Sequence, residues 1–119
     1  MESTDQERKL ILSKAIDKMI TTIGSSGTIK VVESYLSELE KVEKSIDNIF
    51  ICENLDEIKK IGHRYKSTSQ LVGALALADI FVKFENVESV ENVMHLKNEI
   101  KPELVAIKIK LNECLAYLQ

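Results

Sequence analysis

Apolar side chains recur at three- and four-residue intervals along most of this chain, which is the spacing of one face of an α-helix. The pattern covers residues 12–23, 32–49, 77–84 and 100–118. No stretch alternates apolar and polar residues for long enough to predict a β-strand. The sequence therefore predicts an all-α protein.

Local signals predict where the helices begin and end. Residues 4–7 and 54–57 each resemble a capping box, in which the first side chain accepts a hydrogen bond from the amide three residues on. The run Gly24-Ser25-Ser26-Gly27 predicts the end of a first helix, and a second helix is expected from about Thr28.

The last helix is expected to begin near Ser89 and to bend at Pro102, because proline removes an amide donor from a helix interior. A helix that starts at Pro102 is the alternative. Together the segments predict an antiparallel up-down-up-down four-helix bundle with an additional N-terminal helix. Residues 1–119 are expected to form a single domain.

The net charge, the N-terminal residues and the length of the apolar runs limit which functional classes the sequence can belong to. A formal net charge of -3 argues against a nucleic-acid partner. Residues 1–9 are polar and charged, and no apolar run approaches the roughly 18 residues of a membrane span. We therefore expect a cytoplasmic protein. Cys52 and Cys114 lack companions at metal-ligand spacing, so no metal site or disulfide framework is expected, only free thiols.

Residues 63–73 are the most informative stretch for function. On a helix at about 100° per residue, four polar side chains fall within about 60° of a fifth, His63. The five are Lys59, His63, Lys66, Ser67 and Gln70. The apolar neighbours Ile58, Ile61, Tyr65 and Val72 fall on the opposite side. The imidazole of His63 is therefore expected to face solvent.

This stretch resembles the histidine-containing phosphotransfer (HPt) family, whose signature is His-x-x-Lys-Gly-Ser-Ser with a Gly ten residues after the His. Lys66, Ser69 and Gly73 match that pattern, and Thr68 replaces one small hydroxyl residue with another. Ser67 departs from it, since the family usually has Gly there. Small single-domain phosphorelay members, including one that serves quorum sensing, share the Lys-Ser pattern.

The resemblance implies a phosphocarrier without independent turnover or ATP binding. His63 would accept a phosphoryl group from the aspartate of a response-regulator receiver domain and pass it to another receiver. Lys66 would neutralise phosphoryl oxygens, Ser67 and Gln70 would donate hydrogen bonds, and Lys59 would steer the partner. The expected partners are receiver domains and a hybrid sensor kinase. We expect a monomer without its own cofactor, and Mg²⁺ held by the receiver.

The spacing of residues along two neighbouring helices predicts that Glu85 also belongs to this site. The chain runs ten residues along the first helix from His63 to Gly73 and then twelve residues back along the next helix to Glu85. At about 1.5 Å per residue, Glu85 returns to the level of His63 on the next helix. Its carboxylate can orient the ring by accepting the Nδ1 proton; an ordinary solvated role is the alternative. Gly73 is expected to permit a turn or close packing at the helix end.

Two other functional classes remain open. The chain is alternatively a non-phosphorylated helical-bundle binding module that docks on a receiver or kinase, with His63 as a contact residue. It is also compatible with a structural bundle that oligomerises through an apolar face. His95 lacks the companions of His63, so an ordinary surface or packing role is expected there.

Overall fold

The structure is a computed structural model that describes residues 4–51 and 54–119. The described residues form four helical elements and no strand: α1 (Asp5–Ile51), α2 (Leu55–Leu71), α3 (Leu75–Glu85) and α4 (Val90–Leu118). The predicted all-α class is confirmed. None of these helices is long and apolar enough to cross a membrane.

The first element is sharply bent at Gly24. Its backbone there has φ 79° and ψ 169°, a conformation that glycine adopts without a side-chain clash. A straight helix of 47 residues would extend about 70 Å, whereas the longest dimension of the molecule is 42 Å. The helix resumes at Ser25, so the predicted break over residues 24–27 is wrong in extent.

Both predicted helix caps are confirmed. The amide of Glu7 donates to Thr4 Oγ1 over 3.1 Å at the start of α1. The amide of Glu57 donates to Asn54 Oδ1 over 3.2 Å at the start of α2. Each side chain thus satisfies one of the amides that a helix N-terminus leaves unpaired.

The last element is one continuous helix. It begins at Val90, directly after Ser89, and runs through Pro102. The predicted start near Ser89 is confirmed, and the alternative start at Pro102 is wrong. Proline removes the amide partner of the Asn98 carbonyl, and both Pro102 and Asn98 lie on the exposed side of the helix, open to solvent.

The predicted apolar stripes form one core. The buried positions of α1 and α4 include Leu12, Ile16, Val32, Leu39, Ile46, Ile100, Leu104 and Leu111. Ile23 is an exception, because it lies directly before the bend and keeps 49% of its surface exposed. Cys114 is a half-buried free thiol whose pKa is raised by burial, whereas Cys52 lies outside the described residues.

Ion pairs link both segments of α1 to α4. Arg8, before the bend, lies 2.9 Å from Glu103. Glu43, after the bend, lies 2.7 Å from Lys108. The helical hairpin of α2 and α3 packs against these elements and carries the candidate site.

Candidate functional site

The exposed face of α2 is the one that helical periodicity predicts. The His63 side chain is 75% exposed, whereas Ile58, Tyr65 and Val72 on the opposite face are buried. Burying those three side chains fixes the rotation of the helix about its axis. That rotation holds the imidazole in solvent.

Gly62 lets α2 and α3 approach closely beside this histidine. A Cβ atom at position 62 would lie 2.5 Å from the amide nitrogen of Glu85 and 2.8 Å from Phe84 Cβ. It would also overlap the carbonyl oxygen of Phe81. Any larger residue would therefore push the two helices apart. The sequence analysis missed Gly62; the available signal was a glycine inside a helix, which lowers helix stability unless packing requires it.

The turn between these helices depends on Gly73. Its backbone has a φ of 82°, which side chains other than glycine rarely tolerate. A Cβ there would lie 2.8 Å from Ala15 Cβ and 3.1 Å from Leu12 Cα. The close packing expected of Gly73 is therefore present, and its partner is the segment of α1 before the bend.

Glu85, the last residue of α3, lies directly beside the imidazole. Its Oε1 atom is 3.2 Å from His63 Nδ1. An ionised carboxylate can only accept hydrogen bonds, so Nδ1 is the donor in this contact. Of the two neutral tautomers of the ring, this arrangement favours the one with its proton on Nδ1, which leaves the lone pair of Nε2 available as a nucleophile.

Lys66 holds the same carboxylate from the other side. Its Nζ atom lies 2.6 Å from the buried Oε2 of Glu85. The ammonium of Lys66, followed by the hydrogen bond from His63, lowers the pKa of Glu85 below its usual value. The carboxylate is therefore anionic at neutral pH, with a hydrogen bond from His63 and an ion pair with Lys66.

The remaining predicted contact residues lie on the exposed surface of α2. Lys59, Ser67 and Gln70 are all exposed on the side of the helix that carries His63. By contrast, the Ser69 hydroxyl is buried and lies 2.6 Å from the Tyr35 hydroxyl. Ser69 therefore links α2 to α1 in the core and does not belong to the exposed face.

A second contact with α1 also supports the helix, and the sequence analysis missed it. The hydroxyl of Tyr65 donates to Glu38 Oε2 over 2.7 Å. The pKa of Glu38 is lowered, first by this hydrogen bond and then by that from Lys41. Only the docked arrangement of α1 and α2 brings these residues together, so no local sequence signal reveals the pair.

The second histidine, His95, is exposed on α4, which agrees with the ordinary surface role expected of it. Within residues 4–51 and 54–119, no group of three or more His, Cys, Asp or Glu side chains is placed to hold a metal ion. His63, Lys66 and Glu85 form a compact cluster of one exposed imidazole, one cation and one carboxylate.

Comparison with protein-family models, with curated proteins and with solved structures finds no match to this chain.

Proposed function

We propose that this chain is a histidine phosphotransfer protein that carries a phosphoryl group between receiver-domain aspartates on His63. The observation that carries the proposal is the pairing of an exposed imidazole with a carboxylate at Nδ1. A histidine that served only packing would have no need of solvent access at Nε2. The family resemblance of residues 63–73 points to the same chemistry.

The transfer begins with the lone pair of His63 Nε2 attacking the phosphorus of an aspartyl phosphate. An N–P bond forms, the P–O bond breaks, and its electron pair leaves with the aspartate carboxylate. Positive charge then develops on the imidazole, and Glu85 stabilises it through the Nδ1 proton. In the return reaction, the carboxylate of a second receiver attacks the phosphorus and the electron pair returns to Nε2.

Lys66 supplies the positive charge of the site. In the free protein its ammonium is held by Glu85, 2.6 Å away. A lysine ammonium has three donors, so it can keep this contact and also donate to an arriving phosphoryl oxygen. Ser67 and Gln70, exposed on the same face, are placed to donate further hydrogen bonds to the phosphoryl group or the partner.

The proposed partners are response-regulator receiver domains and a hybrid sensor kinase. Mg²⁺ would come from the acidic pocket of the receiver, where carboxylate oxygens suit a hard cation. The chain then acts as a phosphocarrier and not as an enzyme with its own turnover. A cytoplasmic monomer would meet both partners.

The proposal extends to the arrangement of the helices. Residues 25–51, α2, α3 and α4 would form an antiparallel up-down-up-down bundle, and residues 5–23 would be the additional N-terminal helix. The bend at Gly24 and the ion pairs of both α1 segments with α4 support this arrangement.

The direct test is to incubate the protein with ³²P-labelled receiver domains from the same genome. We expect acid-labile, alkali-stable label on the wild type and none on His63→Gln. Lys66→Ala should slow transfer by roughly tenfold or more, and Glu85→Ala should have a smaller effect. His95→Gln is the matched control and should accept phosphate at the wild-type rate.

Three results would overturn the proposal. Label on His63→Gln at the wild-type rate would place the acceptor elsewhere. A wild type that binds receivers but takes no label from any of them would instead indicate a regulatory binding module. Light scattering that shows a stable oligomer with the His63 face covered would indicate a structural bundle.

A further inference from the structure

A groove runs between residues 30–38 of α1 and residues 64–68 of α2. Its α2 side chains lie at least about 100° around the helix axis from His63. The groove has a volume of about 520 Å³, which is within the range of small-ligand sites. The proposed phosphotransfer chemistry uses none of its lining residues, which are Lys30, Val31, Ser34, Tyr35, Glu38, Arg64, Tyr65 and Thr68.

The hydrogen-bond acceptors of this groove are already engaged. Glu38 Oε2 accepts from the Tyr65 hydroxyl over 2.7 Å, and Glu38 Oε1 lies 3.2 Å from Lys41 Nζ. The buried Tyr35 hydroxyl is paired with Ser69 over 2.6 Å. The groove therefore offers a ligand no free carboxylate.

Four donor side chains of the groove, by contrast, keep donors unused. Among the described residues, Lys30 and Arg64 belong to no ion pair, and the hydroxyls of Ser34 and Thr68 make no hydrogen bond within the chain. Lys30, Ser34 and Arg64 are exposed, and Thr68 is half-buried. A ligand in the groove can therefore meet all four, and each would donate to it.

Arg64 is held on the groove side of α2. The Tyr65 hydroxyl engages its guanidinium, whose carbon lies 6.0 Å from the centre of the Tyr65 ring. The carboxylates of Glu38 and Glu57 attract it towards the same side. Because a guanidinium has five N–H donors, the contact with Tyr65 leaves most of them for a ligand.

The two cations lie at opposite ends of the groove. Arg64 precedes Tyr65, whose hydroxyl contacts Glu38, so Arg64 marks the end of the groove beside Glu38. Lys30 lies eight residues before Glu38 on α1, about 12 Å away along the axis. A single small anion would therefore contact one cation fully and the other weakly.

The two hydroxyls lie between these ends. Ser34 is midway between Lys30 and Glu38 on α1. Thr68 precedes Ser69, which contacts the next residue after Ser34. The order along the groove is thus a cation, two hydroxyls and a second cation, a pattern that suits two anionic groups joined by a short polar body.

Phosphate groups suit these donors better than carboxylates do. A phosphate monoester carries up to two negative charges and three acceptor oxygens, whereas a carboxylate carries one charge and two oxygens. The lining contains two cations and one carboxylate, a net charge of +1 in a chain whose net charge is -3. The groove is therefore opposite in sign to the protein as a whole and attracts anions.

We propose that the groove between residues 30–38 and 64–68 binds a small molecule with two phosphate groups, of the sugar bisphosphate class. Lys30 and Arg64 each bind one phosphate, and Ser34 and Thr68 donate to the oxygens between them. This inference goes beyond the proposed phosphotransfer function and does not depend on it, because the ligand lies away from His63.

The test titrates fructose 1,6-bisphosphate into ¹⁵N-labelled protein and follows binding by NMR and by isothermal titration calorimetry. Fructose 6-phosphate keeps the sugar and one phosphate, and succinate supplies two carboxylates. The variants are Lys30→Gln and Arg64→Gln, and Lys44→Gln is the matched control. Lys44 is another exposed lysine of α1 in no described ion pair, and it lies outside the groove.

We expect the bisphosphate to bind with a Kd of about 1 mM or lower and to shift the amide signals of residues 30–38 and 64–68. Fructose 6-phosphate and succinate should each bind at least about fivefold more weakly, because each loses charge-assisted hydrogen bonds. Lys30→Gln and Arg64→Gln should each raise the Kd at least about fivefold, whereas Lys44→Gln should leave it within about twofold.

Four results would overturn the inference. No signal shift at 10 mM bisphosphate would mean that the groove binds no such ligand. Equal binding of fructose 6-phosphate or succinate would refute the recognition of two phosphates. An equal loss in Lys44→Gln would indicate attraction by the whole surface. Shifts centred on His63 and Lys66 would place the ligand at the phosphotransfer site. Labelling of His63 by a receiver tests the proposed function separately.

Discussion

Replacing Gly62 with alanine tests whether the close approach of α2 to α3 sets the geometry at His63. The new Cβ would lie 2.5 Å from the amide nitrogen of Glu85, a backbone atom that cannot rotate away. Since non-bonded heavy atoms prefer about 3.5 Å, the helices must separate by roughly 1 Å.

The cost follows from two opposing effects. Overpacking of a closely packed contact costs about 1–3 kcal/mol, and the higher helix propensity of alanine recovers about 1 kcal/mol. Because two of the overlapping atoms are backbone atoms that cannot rotate away, the overpacking cost lies in the upper part of this range, about 2–3 kcal/mol. We therefore expect Gly62→Ala to lower the free energy of unfolding by about 1–2 kcal/mol. A separation of roughly 1 Å would also lengthen the 3.2 Å contact between His63 Nδ1 and Glu85 beyond hydrogen-bond distance.

Urea unfolding followed by circular dichroism measures the first effect, and long-range ¹H–¹⁵N NMR of the His63 ring reports the tautomer. Gly27→Ala is the control. Its Cβ would lie 3.3 Å from Ile23 Cβ and Cγ1, a contact that a shift of a few tenths of an ångström at this half-exposed residue relieves. The control should be unchanged or more stable by up to about 1 kcal/mol. A Gly62→Ala protein as stable as the wild type, with its proton still on Nδ1, would refute the reasoning.

Two further perturbations test the supports of the site. Tyr35→Phe leaves the buried Ser69 hydroxyl without its hydrogen-bond partner, so the free energy of unfolding measured in urea should fall by about 1–2 kcal/mol. The control is Tyr117→Phe, which should change this free energy little because Tyr117 is 91% exposed. Equal effects of the two would contradict the buried pair. Because Lys66 lowers the pKa of Glu85, the carboxylate stabilises the fold above its unfolded pKa of about 4.5 and loses this effect as pH falls. The wild type should therefore lose stability more steeply than Glu85→Gln between about pH 5 and 3; parallel curves would argue against the pairing.

The orientation of His63 was predictable because it depends on local periodicity. Ile58, Tyr65 and Val72 share one side of a 3.6-residue repeat, and their burial leaves the imidazole on the other. The caps at Thr4 and Asn54 were predictable for the same reason, since donor and acceptor are three residues apart.

The position of Glu85 along the helix axis could be predicted by counting the rise of two helices joined by a short turn. Its contact with the imidazole could not be predicted in this way. Rotation of α3 about its own axis decides whether the carboxylate points at His63 or at solvent. Packing of Phe81 and Phe84 in the core sets that rotation, and those contacts span helices that are distant in sequence.

The sequence by itself determined the helical class, the starts of α1, α2 and α4, and the exposed face of α2, because these depend on residues within one or two turns of each other. Only the tertiary structure decided the sharp bend at Gly24, the close crossing at Gly62 and the sharing of one carboxylate by His63 and Lys66. The physical reason is that interhelical distance and rotation minimise the free energy of the whole packed core. No short window of sequence contains those contacts.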